Sequence, residues 1–404
     1  MTDVPQAVRE RLESLPHVVG TAVGKKRIDG EQTNETCVVV FVDEKLSEAQ
    51  LTDEEIVPET VDCDGEILAT DVQQVGDVTA LAIGPAQESE RTERVRPAPG
   101  GISIGHPSIT AGTMGSVVIE TEDGEPVVLT NAHVAAPEGA TEGDPIYQPG
   151  PEDGGTSGDE IGELREWSEI SSIEPNTTDS ALISVAPDDI DEEILGVGPL
   201  VDFSEPDIDA NEEYIKSGRT TGIETGELRG RDTRIEVGGF GPEPVIFEGV
   251  DTFTDMGDPG DSGSLIGIEE DGLTATNLLF AGSDDATLAI PTSAIFDEHG
   301  ELVPAGESDE PGNGDDPGEP GGDFEQQLRE RLEDEYGDVS EEEGAFRVSA
   351  WPLDLLVVPG EDLGQAGARA RDSDADAVVI AVPGGTEAEV PDIPAGVAVV
   401  SVEF

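Results

Sequence analysis

The chain has 404 residues, with 92 Asp plus Glu against 20 Lys plus Arg and a formal charge of −72. That balance excludes nucleic acid and anionic membrane surfaces as expected partners, because both are held by basic patches. No run approaches the ~18–20 apolar residues of a membrane span. No basic stretch leads into an apolar core as in a signal peptide, so a cytoplasmic location is expected.

High charge with 4% aromatic residues is also the composition of disordered chains. Here, however, 35% of residues are apolar, and they arrive in strand-sized runs such as Cys37-Val38-Val39-Val40-Phe41-Val42. The basic residues comprise 16 Arg and only four Lys (Lys25, Lys26, Lys45, Lys216). At 1 M ionic strength the Debye length is ~3 Å, so an acidic surface is tolerable there. The acidity therefore reads as adaptation to salt rather than as a tail for a basic partner. Cys37 and Cys63 are too few for a disulfide framework or a thiolate zinc site. Their spacing leaves open whether they pair.

Four segments are expected. Residues 1–95 form a small α+β module. Apolar residues at 4, 8, 12 and 15 predict an amphipathic helix, followed by strands at 18–25, 37–42 and 67–72 and a helix near 47–56. Residues 100–304 are β-rich. Strands at 116–119 and 127–130 flank Asp123-Gly124, and strands at 265–268 and 277–280 flank Asp271-Gly272, both hairpin signals. Further short strands fit 181–185, 213–216, 234–237, 245–247 and 287–290, with a closing helix near 290–298. Many short strands with frequent turns predict a sandwich or barrel. Residues 305–323 are an acidic linker, since 16 of the 18 residues from Gly306 to Asp323 are Gly, Pro, Asp or Glu. Residues 324–404 are expected as an α/β module of unassigned role. It has a helix at 324–336, strands at 355–358, 377–382 and 397–402, and part of a helix at 365–371.

Four histidines exist: His17, His106, His133 and His299. His133 stands in Thr-Asn-Ala-His-Val at the end of an apolar strand. Asp179 stands in Thr-Asp-Ser-Ala-Leu-Ile, leading into another, and Ser262 in Gly-Asp-Ser-Gly-Ser. These segments resemble the T-A-A-H, D-[IL]-A-L and G-D-S-G-G motifs of the chymotrypsin-like serine peptidases. With Gly101–Gly105 (Gly-Ile-Ser-Ile-Gly) and Thr110–Gly115 (Thr-Ala-Gly-Thr-Met-Gly), the chain looks most like intracellular archaeal and bacterial members related to the plant narrow-leaf family, from a halophile. The resemblance spans about residues 1–304.

The resemblance implies a mainly β, chymotrypsin-like double β-barrel and a serine endopeptidase acting through an acyl-enzyme. A serine hydroxyl is a poor nucleophile until a neighbouring base takes its proton. The implied roles are His133 as that base, Asp179 as its orienting carboxylate, and Ser262 as nucleophile. The backbone N–H groups of Gly260 and Ser262 would form the oxyanion hole. Met256, six residues before the serine, takes the place at the base of the primary pocket where an Asp selects Arg or Lys. Phe280, Ala281 and Gly282 resemble the edge that pairs a substrate strand. Asn131, Pro259 and Ser264 depart from the family pattern.

Arg96 is followed by Pro97, which argues against activation by cleavage there, so Asp261 is expected to find an internal partner. The first module's place in the chain suggests that it blocks or presents the cleft. No cofactor and no metal are expected, because Asp284-Asp285, Asp188–Asp191 and Asp309–Asp316 lack metal-binding spacing. The expected partner is a peptide or protein substrate, and oligomeric state is not legible. The alternative is a catalytically weak or inactive binding or scaffold protein on the same fold, and an esterase is a third reading.

Overall fold

The computed structural model describes residues 3–28, 31–52, 54–81, 91–120, 124, 126–208, 210, 212–270 and 272–305, with five strands beyond residue 338. The chain forms two compact units, 1–310 and 311–404. The fold is mainly β.

The helix Gln6–Glu13 follows Pro5, whose φ of −55° is preset for helix entry. Val4, Val8 and Leu12 are buried at a spacing of four, the expected apolar face. Arg9 is buried on the same side. Its guanidinium donates to the carbonyls of Val4 (3.0 Å), Thr21 (3.1 Å) and Asp232 (2.7 Å). Through Asp232 this first helix is tied to a strand more than two hundred residues away.

The strands continue that tie. Val18–Ile28 pairs antiparallel with Glu31–Val42 on one side and Gly222–Val237 on the other. Glu31–Val42 pairs parallel with Glu66–Gln74. Strands from the first 75 residues thus share one sheet with the later strands. Cys37 and Cys63 are buried and free, and burial pushes the Cys37 thiol up to about 12.

Six strands close into an antiparallel ring: Glu213–Gly218, Gly222–Val237, Val245–Phe253, Ala286–Pro291, Leu273–Ser283 and Leu265–Glu269. A second, six-stranded antiparallel sheet has the order Pro145–Tyr147, Glu160–Trp167, Ala181–Val185, Pro126–Thr130, Ser116–Glu120, Leu302–Pro304. The closing helix is Thr292–His299.

Among the described residues of 47–56 the expected helix is not found; Glu48–Gln50 makes a single 3₁₀ turn. Local side-chain bonds compete with helix there. Ser47 donates to Gln50 (2.6 Å), and the Thr52 N–H donates to Glu55 (2.7 Å), so two successive capping contacts restart the chain.

In the second unit Val339–Glu342, Ala345–Ala350, Leu353–Pro359, Ala377–Pro383 and Val397–Val402 form one sheet in chain order. The first two pairings are antiparallel and the last two parallel. The helices expected at 324–336 and 365–371, and the linker beyond Ala305, lie outside the described residues.

Candidate active site

Thr130 and Ala181 are paired across adjacent antiparallel strands. His133 stands three residues beyond one and Asp179 two residues before the other, so the sheet brings them together. His133 Nδ1 is hydrogen-bonded to Asp179 Oδ2, and the His133 backbone N–H donates to Oδ1 at 3.0 Å. Asp179 is fully buried. Asn131, a departure from the family pattern, donates from Nδ2 to the Asp179 carbonyl at 2.7 Å and fixes that backbone. His133 Nε2 is buried and has no hydrogen-bond partner. An imidazole oriented through Nδ1 with Nε2 free can accept a proton at Nε2.

Phe240, which no motif marks, packs its ring on the His133 imidazole at 5.6 Å and 86°. It sits in the Gly-rich turn between Gly222–Val237 and Val245–Phe253, and its only sequence signal is an aromatic residue among glycines.

Ser262 is fully buried in the turn before Leu265–Glu269. Its Oγ donates to the Phe280 carbonyl at 3.1 Å, and no hydrogen bond joins it to His133. The turn is braced from several directions. Gly260 has φ +104°, and a Cβ there would lie 2.4 Å from Arg219 Nη1 and Thr220 Oγ1, so only glycine fits. Thr113 Oγ1 donates to the Gly260 carbonyl (2.8 Å), and the Thr113 N–H donates to the Ser262 carbonyl (2.7 Å). Ser264 Oγ donates to the Asp261 carbonyl (2.6 Å), and Thr220 Oγ1 to that of Pro259 (2.9 Å).

Asp261 has the internal partner that was expected: Lys216 Nζ is 3.1 Å from its Oδ2, with both side chains fully buried. Desolvation lowers the Lys216 pKa, and the Asp261 carboxylate partly offsets it. The Thr220 N–H (2.8 Å), Thr221 Oγ1 (2.8 Å) and Asp258 N–H (3.0 Å) also donate to Asp261. A buried carboxylate with this many donors is a rigid post for the turn between Gly260 and Ser262.

Met256 is buried among Tyr214, Leu228, Phe253, Ile266, Leu279 and Leu81. Phe280, Ala281 and Gly282 lie in Leu273–Ser283, and Ala281 and Gly282 pair antiparallel with Ala80 and Thr79. The Gly260 N–H donates to the Leu81 carbonyl at 2.5 Å.

The other histidines stand apart. His106 accepts from the Ser108 N–H (3.0 Å). His299 bonds Ser180 Oγ through Nε2 (2.8 Å), and His17 bonds Asp43 through Nδ1 (2.9 Å). A cleft of about 750 Å³ lined by Arg27, Lys45, Asp71, Glu227 and Arg229 contains none of the candidate residues. Its cations are engaged, Arg27 by Glu227, Lys45 by the Val72 carbonyl (2.7 Å) and Arg229 by Gln73 (2.7 Å). Among the described residues no group of three His, Cys, Asp or Glu side chains is placed to hold a metal ion.

No curated protein is significantly similar to the chain. Solved structures of proteases match about half of the chain at low identity. Thermobifida fusca protease A is 16% identical, covering 51% of this chain and 98% of that one, with a TM-score of 0.38. Cellulomonas bogoriensis chymotrypsin is 18% identical over 51% and 97%, with a TM-score of 0.36. Nocardiopsis protease is 14% identical over 51% and 97%, with a TM-score of 0.37. Residues 6–73 match the family described as the NARROW LEAF 1 N-terminal domain.

Proposed function

We propose that this chain is a serine endopeptidase that hydrolyses peptide bonds through an acyl-enzyme. The observation that carries the reading is the buried His133–Asp179 pair, oriented through Nδ1 and free at Nε2. In this reading Ser262 Oγ turns from the Phe280 carbonyl to His133 Nε2 and gives up its proton as Oγ attacks the substrate carbonyl carbon. Asp179 holds the imidazole tautomer and stabilises the imidazolium. Negative charge on the carbonyl oxygen is met by the N–H groups of Gly260 and Ser262. The His133 proton passes to the leaving amine, and water then attacks the ester by the same route in reverse. A peptide strand pairs with Phe280, Ala281 and Gly282, its side chain entering a pocket based on Met256.

The partners are peptide or protein substrates and the site is cytoplasmic. The acidity adapts the protein to a salt-accumulating, halophilic cell. No helix among the described residues is long and apolar enough to cross a membrane.

A second reading, a binding or scaffold protein on the same fold, is favoured by one observation: the Ser262 hydroxyl is bonded to Phe280 rather than to His133. A fluorophosphonate probe in ~2 M KCl, where charge repulsion is screened, separates the two. Because the Leu81 carbonyl lies on Gly260, labelling is read on the unaltered chain and on Leu81→Ala. Covalent label that disappears with Ser262→Ala and with His133→Ala is the expected result. Absence of label from both folded starting proteins would overturn the peptidase reading in favour of binding.

A further inference from the structure

Val78–Leu81 follows the strand Glu66–Gln74 and runs between residues 280–282 and Gly238 into the proposed peptide-binding cleft beside Gly260. Val78 and Leu81 are buried, Ala80 is half-buried and Thr79 is exposed. On one side Thr79 and Ala80 pair antiparallel with Gly282 and Ala281. On the other, the Ala80 N–H donates to the Gly238 carbonyl (3.0 Å), and the Gly238 N–H donates to that of Val78 (3.0 Å).

Leu81 then makes three contacts at once. Its N–H donates to the Phe280 carbonyl at 3.2 Å, and its own carbonyl accepts from Gly260 at 2.5 Å. Its side chain is buried against Met256, Leu279 and their neighbours. The Leu81 Cδ1 lies 3.1 Å from where a Cβ on Gly282 would stand, so the missing side chain at Gly282 makes the opening that Leu81 fills. Phe280, whose carbonyl takes the Leu81 N–H, is also the acceptor of the Ser262 hydroxyl.

The reading of Gly260 and Ser262 given above assigns these contacts to substrate. An extended strand on 280–282, a carbonyl on the Gly260 N–H and a side chain over Met256 are what a peptide would make on the acyl side of its scissile bond. We propose that the substrate class of this cleft is an extended peptide with a leucine-sized aliphatic residue in the primary pocket, and that Thr79-Ala80-Leu81 is held there as the chain's own competitor. The residues clustered with Leu81, among them Met256, Leu279, Phe253 and Ile266, are apolar, so burying a basic or acidic side chain among them carries a desolvation cost. Entry of any substrate requires this segment to leave, so the apparent affinity for peptide falls by the fraction of chains in which the cleft is vacated.

The test uses full-length protein carrying Ser262→Ala, so that binding is read without turnover, in ~2 M KCl to screen charge. Binding of fluorescein-labelled Thr-Ala-Leu with a free carboxylate is followed by anisotropy, beside peptides carrying Arg or Asp in place of Leu. Leu81→Ala removes most of the buried side chain, and the Leu peptide then binds about tenfold tighter or more. Ala80→Pro removes the N–H bonded to Gly238 while keeping the Leu81 side chain. It moves affinity in the same direction and serves if Leu81→Ala fails to fold. Affinity unchanged in a folded variant, or equal affinity for the Leu and Arg peptides, overturns the proposal.

With Ser262 restored, succinyl-Thr-Ala-Leu-p-nitroanilide separates the two inferences. Binding as expected with neither turnover nor fluorophosphonate label keeps the pocket assignment and removes the peptidase reading. Label and turnover that ignore both Leu81→Ala and the residue before the scissile bond do the reverse.

Discussion

Asp251 is fully buried on Val245–Phe253, and burial pushes its carboxyl up to about 6. Arg231, 3.6 Å away, and Asn277, which donates to Oδ2 at 3.0 Å, offset only part of that desolvation. A carboxyl whose folded pKa lies above its unfolded value takes up a proton on folding. Its contribution to stability is full below pH ~4 and is lost as pH rises through ~6. Asp251→Asn keeps an acceptor for Asn277 and removes the buried charge. The variant is therefore expected to be about as stable as the parent at pH ~4 and more stable by about 3 kcal/mol at pH 8. Denaturant melts in concentrated KCl from pH 4 to 8 check this. A parent-to-variant difference that stays constant across that range would sink it. Because the comparison is between two chains that share every other carboxylate, general acid effects cancel to first order.

At the scale of elements, the strand Gly222–Val237 shows what periodicity misses. Only 234–237 reads as strand in the sequence, yet the element is 16 residues long. Its earlier part carries glycines and charges, its pairing with Val245–Phe253 shifts register three times, and Asp232 adopts φ +51°. Each bulge breaks the two-residue period on which a strand is recognised. The strand matters because it joins the first strands to the ring, and that joint depends on close backbone approach. A Cβ on Gly24 would meet the Arg229 carbonyl at 2.5 Å and Val39 Cγ2 at 2.6 Å. Gly24→Ala is expected to destabilise the unit by about 1–3 kcal/mol through overpacking, read as a lowered denaturation midpoint. A midpoint equal to the parent's would show that the joint has slack.

The site was legible to a similar, partial degree. His133, Asp179 and Ser262 each stand in a short motif at a strand end, and local motifs survive in sequence. Lys216 and Leu81 do not stand out, because each acts across more than forty residues on a turn or cleft it does not adjoin in the chain. Lys216 read as a strand residue, and only burial against Asp261 gives its ammonium a role.

Over the whole molecule the formal charge of −72 sets the conditions under which all of this holds. Several of the 20 cations are already committed to buried structural posts: Arg9 on the first helix, Lys216 under the serine turn, and Arg219 chelating Asp153 at 2.6 and 2.8 Å. Few are left to neutralise the surface, so unlike-charge pairing cannot offset the repulsion among 92 carboxylates. Screening can. The Debye length falls from ~10 Å at 0.1 M to ~3 Å at 1 M, below the spacing of most surface charges. Stability is therefore expected to climb steeply between 0.1 and about 1 M KCl and to flatten beyond it. NaCl at equal ionic strength should give nearly the same curve, since screening depends on ionic strength rather than on which cation carries it. The buried pairs, out of reach of mobile ions, should contribute the same at both ends of the titration. A melting temperature flat from 0.1 to 2 M would contradict this account. So would a rise specific to potassium, which would place the stabilisation in bound cations instead of in relief of repulsion.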